Sequence, residues 1–116
     1  MRHLLHVAVF VAMAAGCSER TPRTLGAAPE GPAVLIAEAQ RTNLESRVVL
    51  QGTMTRKCPV AGCWFILQDK SGIIKVDTKD AGFVVADVPL NTAMAVAGRV
   101  TTNGSERFIE AAGARY

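Results

Sequence analysis

The sequence predicts an all-β fold, a small five-stranded Greek-key barrel that follows an N-terminal signal helix and a flexible linker. Residues 48–55 and 92–102 alternate with the period of a β-strand, and each stretch has a glycine in its interior. Glycines inside strands are typical of the bulges and sharp bends that small closed barrels require. Short turn segments separate the apolar runs, which indicates hairpins in an antiparallel sheet.

Five strands are predicted, and they cover residues 48–55, 64–68, 73–77, 92–102 and 107–112. The first three form a meander, because only the turn-forming stretches 58–63 and 69–72 separate them. Residues 78–91 form a longer connection, at the place where many small barrels have a helix or a lid. The apolar stretch at residues 34–39 is too short for its periodicity to distinguish a strand from a helical turn. Three strands, a long connection and two more strands match the strand plan of the OB-fold barrel.

The first 16 residues predict an export signal. Arg2 and His3 precede an apolar run over residues 4–15, which is shorter than the about 20 apolar residues that a membrane-spanning helix needs. The small residues directly before Cys17 resemble the lipobox of bacterial lipoproteins, in which the cysteine receives a diacylglycerol and becomes the new N-terminus. Ordinary cleavage after residue 14 is the alternative, but it would leave Cys17 as a stray thiol in an oxidising compartment. We therefore predict that Cys17 carries a lipid that anchors the protein to a membrane.

The composition after the signal predicts two further regions. Residues 17–32 contain three prolines and two glycines and are predicted to be a flexible linker to a barrel domain at residues 33–116. Ser18 follows the lipid cysteine, whereas enteric lipoproteins of the inner membrane have Asp at this position. The resemblance therefore implies an outer-membrane lipoprotein that faces the periplasm, with the inner membrane as the alternative.

Histidine content and charge exclude several functions for the processed chain. His3 and His6 are the two histidines and both lie in the signal, so no imidazole remains for a nucleophilic triad or a histidine-containing metal site. Removing Arg2 from the thirteen Lys and Arg leaves twelve against ten Asp and Glu, a net charge of +2. This small excess of positive charge is only a weak argument that the protein binds nucleic acid. We expect a protein that is not an enzyme.

Cys58 and Cys63 flank a turn that contains a proline and a glycine, and three roles are open to the pair. A disulfide at the tip of the first hairpin is favoured, because paired cysteines in small exported domains usually form bridges. The second role is a reduced pair that binds a soft metal ion such as copper as Cu(I), with Arg56 and Lys57 lowering the pKa of Cys58. A catalytic redox pair is third, since a hairpin lacks the helix N-terminus that activates such thiols. No other cofactor is expected.

Trp64 directly follows the second cysteine of this loop. It is interpreted either as a residue that packs in the core or over the disulfide, or as part of a ligand surface with Arg56 and Lys57. As a ligand surface it would provide a stacking platform for nucleic acid or an oligosaccharide. Single-strand binders combine several aromatic side chains with a basic groove, and this chain has few aromatic residues, so nucleic acid is disfavoured.

A further resemblance is carried by Gly52, Cys58, Gly62, Cys63, Trp64, Asp69, Gly72 and residues 96–100. With these residues the chain resembles a group of small exported bacterial domains of OB-like plan and mostly unknown function, marked by Cys-x-x-x-Gly-Cys-Trp. The resemblance implies fold and location but no activity. We therefore predict a lipid-anchored, non-enzymatic binding or accessory module with a disulfide between Cys58 and Cys63, whose partner is an envelope protein or a small ligand. The alternatives are a periplasmic copper-handling protein and an OB-fold binder of nucleic acid or oligosaccharide.

Overall fold

The structure, a computed structural model, describes residues 21–116, so the predicted signal at residues 1–16 and the lipidation site Cys17 lie outside the described residues. The elements in chain order are β1 (Thr24–Gly26), α1 (Ile36–Ala39), β2 (Arg47–Lys57), β3 (Trp64–Asp69), β4 (Gly72–Asp77), β5 (Ala93–Thr102) and β6 (Arg107–Arg115). Within residues 21–116, no helix has the length and apolar character that crossing a membrane requires.

Strands β2 to β6 form a closed five-stranded barrel. β2, β3 and β4 pair as an antiparallel meander, and β6 lies parallel to β4 and antiparallel to β5. β5 pairs with β2 and closes the sheet. Closure removes the exposed strand edges that promote aggregation. The prediction of an all-β, OB-like Greek-key barrel is confirmed, and the five predicted strands correspond to β2 to β6.

β2 pairs with two strands because it bends in its middle. Residues 47–53 pair with β5, and residues 53–57 pair with β3 with a shift in register. Gly52 lies at the bend, where a Cβ atom would be 2.5 Å from the carbonyl oxygen of Gln68 on β3. Only glycine fits this close to a neighbouring backbone. Glycine is therefore required next to the point where β2 changes its partner from β5 to β3, and the register shift itself lies between Met54 and Arg56.

Alternate side chains of the strands fill the barrel. The fully buried strand residues with the largest side chains are Leu50, Met54, Phe65, Leu67, Val76, Val96, Val100 and Ile109. α1 adds Ile36 and Ala39 to this core. Full burial of one large aliphatic side chain contributes about 1.5 to 3 kcal/mol of transfer free energy, so this interior is the main source of stability.

The two stretches whose structure the sequence left open contain one helical turn and otherwise irregular structure. At residues 34–39, Val34 forms an isolated bridge with Leu50 and the chain then makes the single helical turn α1. The connection after β4 forms a series of turns without a helix. Its Val85 and Val88 are buried in the core. Both stretches therefore contribute buried side chains to the barrel core without forming a long helix or strand.

Part of the predicted linker is ordered against the barrel. β1 lies within residues 17–32 and pairs antiparallel with the end of β6. Arg23 and Tyr116 extend this ladder through backbone hydrogen bonds of 2.7 and 2.9 Å. Here the structure differs from the flexible linker that the composition predicts. Backbone pairing with β6 and the packing of Leu25 against the core hold this segment, and a proline- and glycine-rich composition reveals neither.

Candidate functional site

One wall of the barrel carries apolar side chains on its outer surface. Trp64 and Ile66 alternate along β3 with fully buried residues, as a strand of period two requires. The β3–β4 register pairs Ile66 with Lys75 and Gln68 with Ile73, so paired side chains share a face. We call the surface made of Trp64, Ile66, Gln68, Ile73 and Lys75 the outer β3–β4 face.

The outer β3–β4 face presents apolar groups beside a positive charge. The Ile73 side chain is 55% exposed, and Trp64 and Ile66 are half-buried. Lys75 Nζ lies 5.4 Å from the centroid of the Trp64 ring, which is within the range of a cation–π interaction. The Trp64 ring is therefore held against the sheet next to an ammonium group.

An open cavity of about 300 Å³ lies on the same side of the barrel, where β3 and β4 approach the β5–β6 hairpin. Its lining includes Ile66, Ile73, Lys75 and Arg107. Arg107 donates a hydrogen bond to the carbonyl oxygen of Thr42, which fixes the position of its side chain. In OB-type barrels the second and third strands and the adjacent loops bind ligands, and β3 and β4 occupy those places here.

The cysteine pair lies in the loop of residues 58–63, between β2 and β3. Cys58 and Cys63 are half-buried free thiols, so the disulfide remains a prediction. The loop ends are held by backbone hydrogen bonds, from Cys58 to the carbonyl oxygen of Trp64 at 3.0 Å and from Thr78 to that of Cys63 at 2.9 Å. The two sulfurs therefore extend from a loop whose ends are fixed to the sheet.

Gly62 allows this loop to pack directly on the connection after β4. Its φ angle is +62°, and a Cβ atom would be 2.6 Å from the backbone nitrogen of Ala86. The Gly62 carbonyl oxygen also accepts a hydrogen bond of 2.9 Å from the Val85 N–H. Glycine adopts a positive φ without strain, and its close contact with the connection is a second reason for glycine here.

The loop lowers the pKa of the Cys58 thiol from 9.0 to about 7. The main causes are hydrogen bonds from the backbone N–H groups of Ala61 and Val60, with smaller contributions from the Gly62 N–H and the Cys63 side chain. Partial burial acts in the opposite direction. These hydrogen bonds favour the thiolate because each donates to the charged sulfur. The sequence attributed such a shift to the cationic neighbours Arg56 and Lys57, but the donors are the turn's own amide groups.

The structure separates the two basic residues that were grouped with Trp64. Arg56 pairs with Ile66 and lies exposed on the same side of the sheet. Lys57 lies on the opposite side of the strand, and Nζ donates hydrogen bonds to carbonyl oxygens of the connection after β4, the shortest at 2.6 Å to Val88. Lys57 therefore stabilises a loop and does not contribute to the predicted ligand surface.

The described part of the chain offers few metal ligands. Residues 21–116 contain no group of three or more His, Cys, Asp or Glu side chains that could hold a metal ion. Met54 is fully buried in the barrel and Met94 is 4% exposed, so their sulfurs are enclosed in the core. Within residues 21–116, a copper site would therefore depend on Cys58 and Cys63 for its sulfur ligands.

A charged cluster that the sequence did not predict lies elsewhere on the barrel, beside a cavity of about 730 Å³. Arg99 forms ion pairs with Glu45 and Glu110. A hydrogen bond with Asp80 raises the pKa of Glu110, although Arg99 acts to lower it. Glu45 and Arg99 are 54 positions apart, so no local pattern indicates their contact. Because these charges pair with one another, we interpret the cluster as structural.

The fold and the two candidate sites define a small OB-like barrel protein with an apolar outer face and an adjoining dithiol loop. No family model matches the chain, and no curated protein matches it. Among solved structures, the chain is similar to the hypothetical protein YgiW from E. coli, with 18% sequence identity and a TM-score of 0.55. The similarity covers 72% of this chain and 87% of that chain. At this identity the comparison shows the fold alone.

Proposed function

We propose that this chain is a lipid-anchored protein of the bacterial cell envelope whose OB-like barrel is a non-enzymatic binding module. The observation that carries the proposal is the apolar surface of the outer β3–β4 face, where Ile73 is 55% exposed beside Trp64 and Ile66. Outward positions of a solvated antiparallel sheet normally carry polar residues. Contiguous exposed apolar groups are typical of surfaces that bind a partner.

The chemistry of this surface favours a protein partner. Two branched aliphatic side chains and one tryptophan provide the apolar centre, with Arg107 and Lys75 at its border. Tryptophan and arginine are enriched in the energetically important parts of protein interfaces. Binders of single-stranded nucleic acid instead use several stacked aromatic side chains along a basic groove. We therefore propose another envelope protein as the partner.

The remaining parts of the proposal concern location and the cysteine loop. The lipid on Cys17 would hold the barrel at the outer membrane, on its periplasmic side, and so concentrate it near other envelope proteins. A disulfide between Cys58 and Cys63 would close a small ring, which contributes roughly 2 kcal/mol on the chain-entropy model. The two cysteines flank one tight loop whose ends are held together by the hydrogen bond from the Cys58 N–H to the Trp64 carbonyl oxygen, which supports this pairing. An oxidising compartment favours it as well.

Photo-cross-linking in intact cells tests the binding face. A photoreactive amino acid at Gln68, which is exposed and pairs with Ile73 across the sheet, is expected to cross-link one envelope protein. Ile73→Asp is expected to reduce this product at least about tenfold, because an unpaired carboxylate is costly to desolvate in an interface. Val84→Asp is the matched control, since Val84 is 52% exposed but lies in the connection after β4.

The controls distinguish this proposal from its alternatives. A product that survives Ile73→Asp, or that is lost equally with Val84→Asp, would contradict a partner on the outer β3–β4 face. Saturable binding of a single-stranded oligonucleotide, with an affinity that falls steeply with salt, would replace the protein partner with a nucleic acid. Binding of an oligosaccharide that is lost in Trp64→Ala would replace it with a sugar chain.

A further inference from the structure

The barrel fixes the chain at Arg23, which is six positions after the predicted lipid anchor at Cys17. The Arg23 N–H donates a hydrogen bond of 2.7 Å to the Tyr116 carbonyl oxygen, and the Tyr116 N–H donates one of 2.9 Å to the Arg23 carbonyl oxygen. β1 follows directly and pairs with the end of β6. We call residues 18–22 the tether. A fully extended chain spans at most about 3.6 Å per residue, so Cys17 lies no more than about 22 Å from Arg23.

The reach of the tether is short compared with the size of the barrel. A folded domain of about 100 residues has a radius of gyration of about 13 Å, which for a solid sphere corresponds to a diameter of about 34 Å. A barrel held by a lipid on Cys17 therefore cannot turn its far end to the membrane. The tether keeps the end that holds Arg23 next to the lipid surface.

An open cavity of about 900 Å³ lies at this end of the barrel. Its lining joins Arg23 and Tyr116 to Pro89 and Leu90, which belong to the segment before β5. Leu90 is 50% exposed, Arg23 and Pro89 are exposed, and Tyr116 is half-buried. The lining also contains one acidic side chain, the exposed Asp87. We call the surface made of Arg23, Pro89, Leu90 and Tyr116 the tether end.

The chemistry of the tether end suits the headgroup layer of a phospholipid membrane. An exposed leucine can enter the boundary between headgroups and acyl chains, and Leu90 provides one. Tyrosine is enriched at membrane interfaces because its ring is apolar and its hydroxyl is polar. The exposed Arg23 is attracted to anionic headgroups. Asp87 opposes this attraction, so the contact depends on the apolar groups and the tether as well as on charge.

The proposed protein-binding site lies at the opposite end of β6. Arg107 begins this strand, and Tyr116 follows its last residue. A strand rises about 3.3 Å per residue, so these two positions are separated by about 30 Å. The cavity lined by Ile73 and Arg107 therefore lies away from the tether end. The membrane and a protein partner can be bound at the same time.

We propose that the tether end docks on the phospholipid headgroups of the membrane that holds the lipid of Cys17, and that this contact turns the cavity lined by Arg107 away from the membrane. This inference rests on the acylation of Cys17 in the proposed function, but not on the partner of the outer β3–β4 face. The tether supplies a high local concentration of headgroups, so a surface with low affinity of its own stays bound while the lipid is present.

Photo-cross-linking to lipid tests this inference on the processed full chain in vesicles of phosphatidylethanolamine and phosphatidylglycerol. A photoreactive amino acid at Leu90 is expected to add the mass of one phospholipid to the protein. The matched position is Glu106, which is exposed and lines the cavity with Arg107. Because this position is about 30 Å further along the barrel, at least about tenfold less of the lipid product is expected there.

Two changes separate the contributions of charge and tether to the Leu90 product. Arg23→Glu is expected to lower its yield at least about threefold, because the new carboxylate repels phosphatidylglycerol. Arg56→Glu is the control, since Arg56 is exposed on β2 outside this surface. Inserting about 20 glycine and serine residues after Arg20 is expected to lower the yield about ninefold, as the −3/2 power of a tether about four times longer requires. An unchanged yield after the insertion, or equal losses in the two arginine variants, would contradict docking by the tether end.

Intact mass of the same samples distinguishes this inference from the proposed function. A protein without a lipid on Cys17 would overturn both the anchor and the docking. A diacylated protein that cross-links lipid equally at Leu90 and Glu106, or at neither position, would overturn the docking alone and leave the anchor intact. A cross-linked dimer as the Leu90 product would also overturn it, because a second copy of the chain would then occupy the tether end.

Discussion

Lys57 donates hydrogen bonds from one ammonium group to the carbonyl oxygens of Val85, Ala86 and Val88, at 3.5, 2.8 and 2.6 Å. These carbonyl oxygens belong to a connection without a helix or strand. The ammonium therefore donates the hydrogen bonds that backbone N–H groups would donate in regular secondary structure. We predict that Lys57→Met lowers the free energy of unfolding by about 1 to 3 kcal/mol, because hydrogen bonds from charged groups are stronger than neutral ones. Urea denaturation of the purified chain measures this loss.

The neighbouring residue is the control for this prediction. Arg56 is exposed on the other side of β2. Arg56→Met removes the same charge and is expected to change stability by less than about 0.5 kcal/mol, as substitutions at exposed sites usually do. Equal losses in the two variants would show that net charge, and not the contacts of Lys57, determines the effect.

Thr78 is a polar residue whose side-chain hydroxyl has no hydrogen-bond partner among the described residues, although the side chain is fully buried. An unsatisfied buried hydroxyl costs about 1 to 3 kcal/mol, and valine has nearly the same shape without it. We therefore predict that Thr78→Val raises the free energy of unfolding by about 1 kcal/mol and raises the melting temperature in calorimetry. A lower melting temperature would indicate that the hydroxyl is hydrogen-bonded in solution.

At the scale of elements, the turn between β3 and β4 organises α1. One carboxylate oxygen of Asp69 accepts hydrogen bonds from the Ser71 N–H, the Ser71 hydroxyl and the Gly72 N–H. The other carboxylate oxygen of Asp69 accepts a hydrogen bond of 2.9 Å from the Ile36 N–H. The Ser71 hydroxyl oxygen accepts a hydrogen bond from the Ala37 N–H. The hairpin thus caps a helix that has no side-chain cap of its own.

This cap predicts a pH dependence of stability. Partial burial acts to raise the pKa of Asp69, but the hydrogen bonds from Ser71, Ile36 and Gly72 outweigh it and lower the pKa below 3.8. A lowered pKa contributes stability that is fully present above about pH 4 and is lost as the pH falls through the folded-state value. We predict that Asp69→Asn lowers the free energy of unfolding by about 0.5 to 2 kcal/mol at neutral pH. The difference from wild type should shrink below about pH 4 in urea titrations at several pH values.

An exposed carboxylate provides the comparison for the Asp69 variant. Asp87 lies exposed in the connection after β4. Asp87→Asn is expected to leave both the stability at neutral pH and its acid dependence close to wild type. A difference between Asp69→Asn and wild type that stays constant down to about pH 2 would contradict a role for the ionised carboxylate.

Gly113 of β6 leaves the room that the segment containing β1 needs to pack against the barrel. A Cβ atom at Gly113 would lie 1.6 Å from the carbonyl oxygen of Ala27, so no larger residue fits without moving the segment that contains β1. We predict that Gly113→Ala releases this segment while the barrel stays folded. Hydrogen exchange should then become at least about tenfold faster at the N–H groups of Arg23 and Ala27, while the amides paired between β2 and β5 keep their protection. Unchanged exchange at both positions would contradict this role of Gly113.

The elements differ in how far the sequence could predict them. The inward faces of β2 and β5 follow from period-two alternation, and glycines such as Gly52 mark the bends because only they allow two backbones to approach closely. β1 gave no signal, because its three residues are too few to show a period and only Leu25 among them packs against the core. Backbone pairing with β6 also holds it in place. Asp69 was assigned to a turn from its local context, but its cap on Ile36 joins residues 33 positions apart.

At the scale of the whole molecule, the closed barrel follows from the number and order of strands, because five strands in this order can hide their edges only by closing. The candidate site follows less directly. The sequence placed Trp64 and the cysteine pair correctly in and beside β3, whereas the cavity lined by Arg107 depends on the parallel contact of β4 with β6. A contact between distant strands depends on tertiary packing and leaves no local pattern.

Membrane attachment is a property of the whole chain, and the proposed anchor at Cys17 makes it testable. A diacyl chain adds about 0.8 kcal/mol of membrane affinity for each buried methylene group, whereas residues 21–116 contain no helix that could span a membrane. We predict that Cys17→Ser abolishes acylation and moves the protein from the membrane to the soluble fraction, as measured by intact mass and cell fractionation. Cys58→Ser is the matched control, because it removes a cysteine outside the lipobox and should leave the protein membrane-bound. If Cys17→Ser stays with the membrane without a lipid and with its signal removed, and Ile73→Asp then releases it, the attachment comes from the outer β3–β4 face and not from an anchor at Cys17.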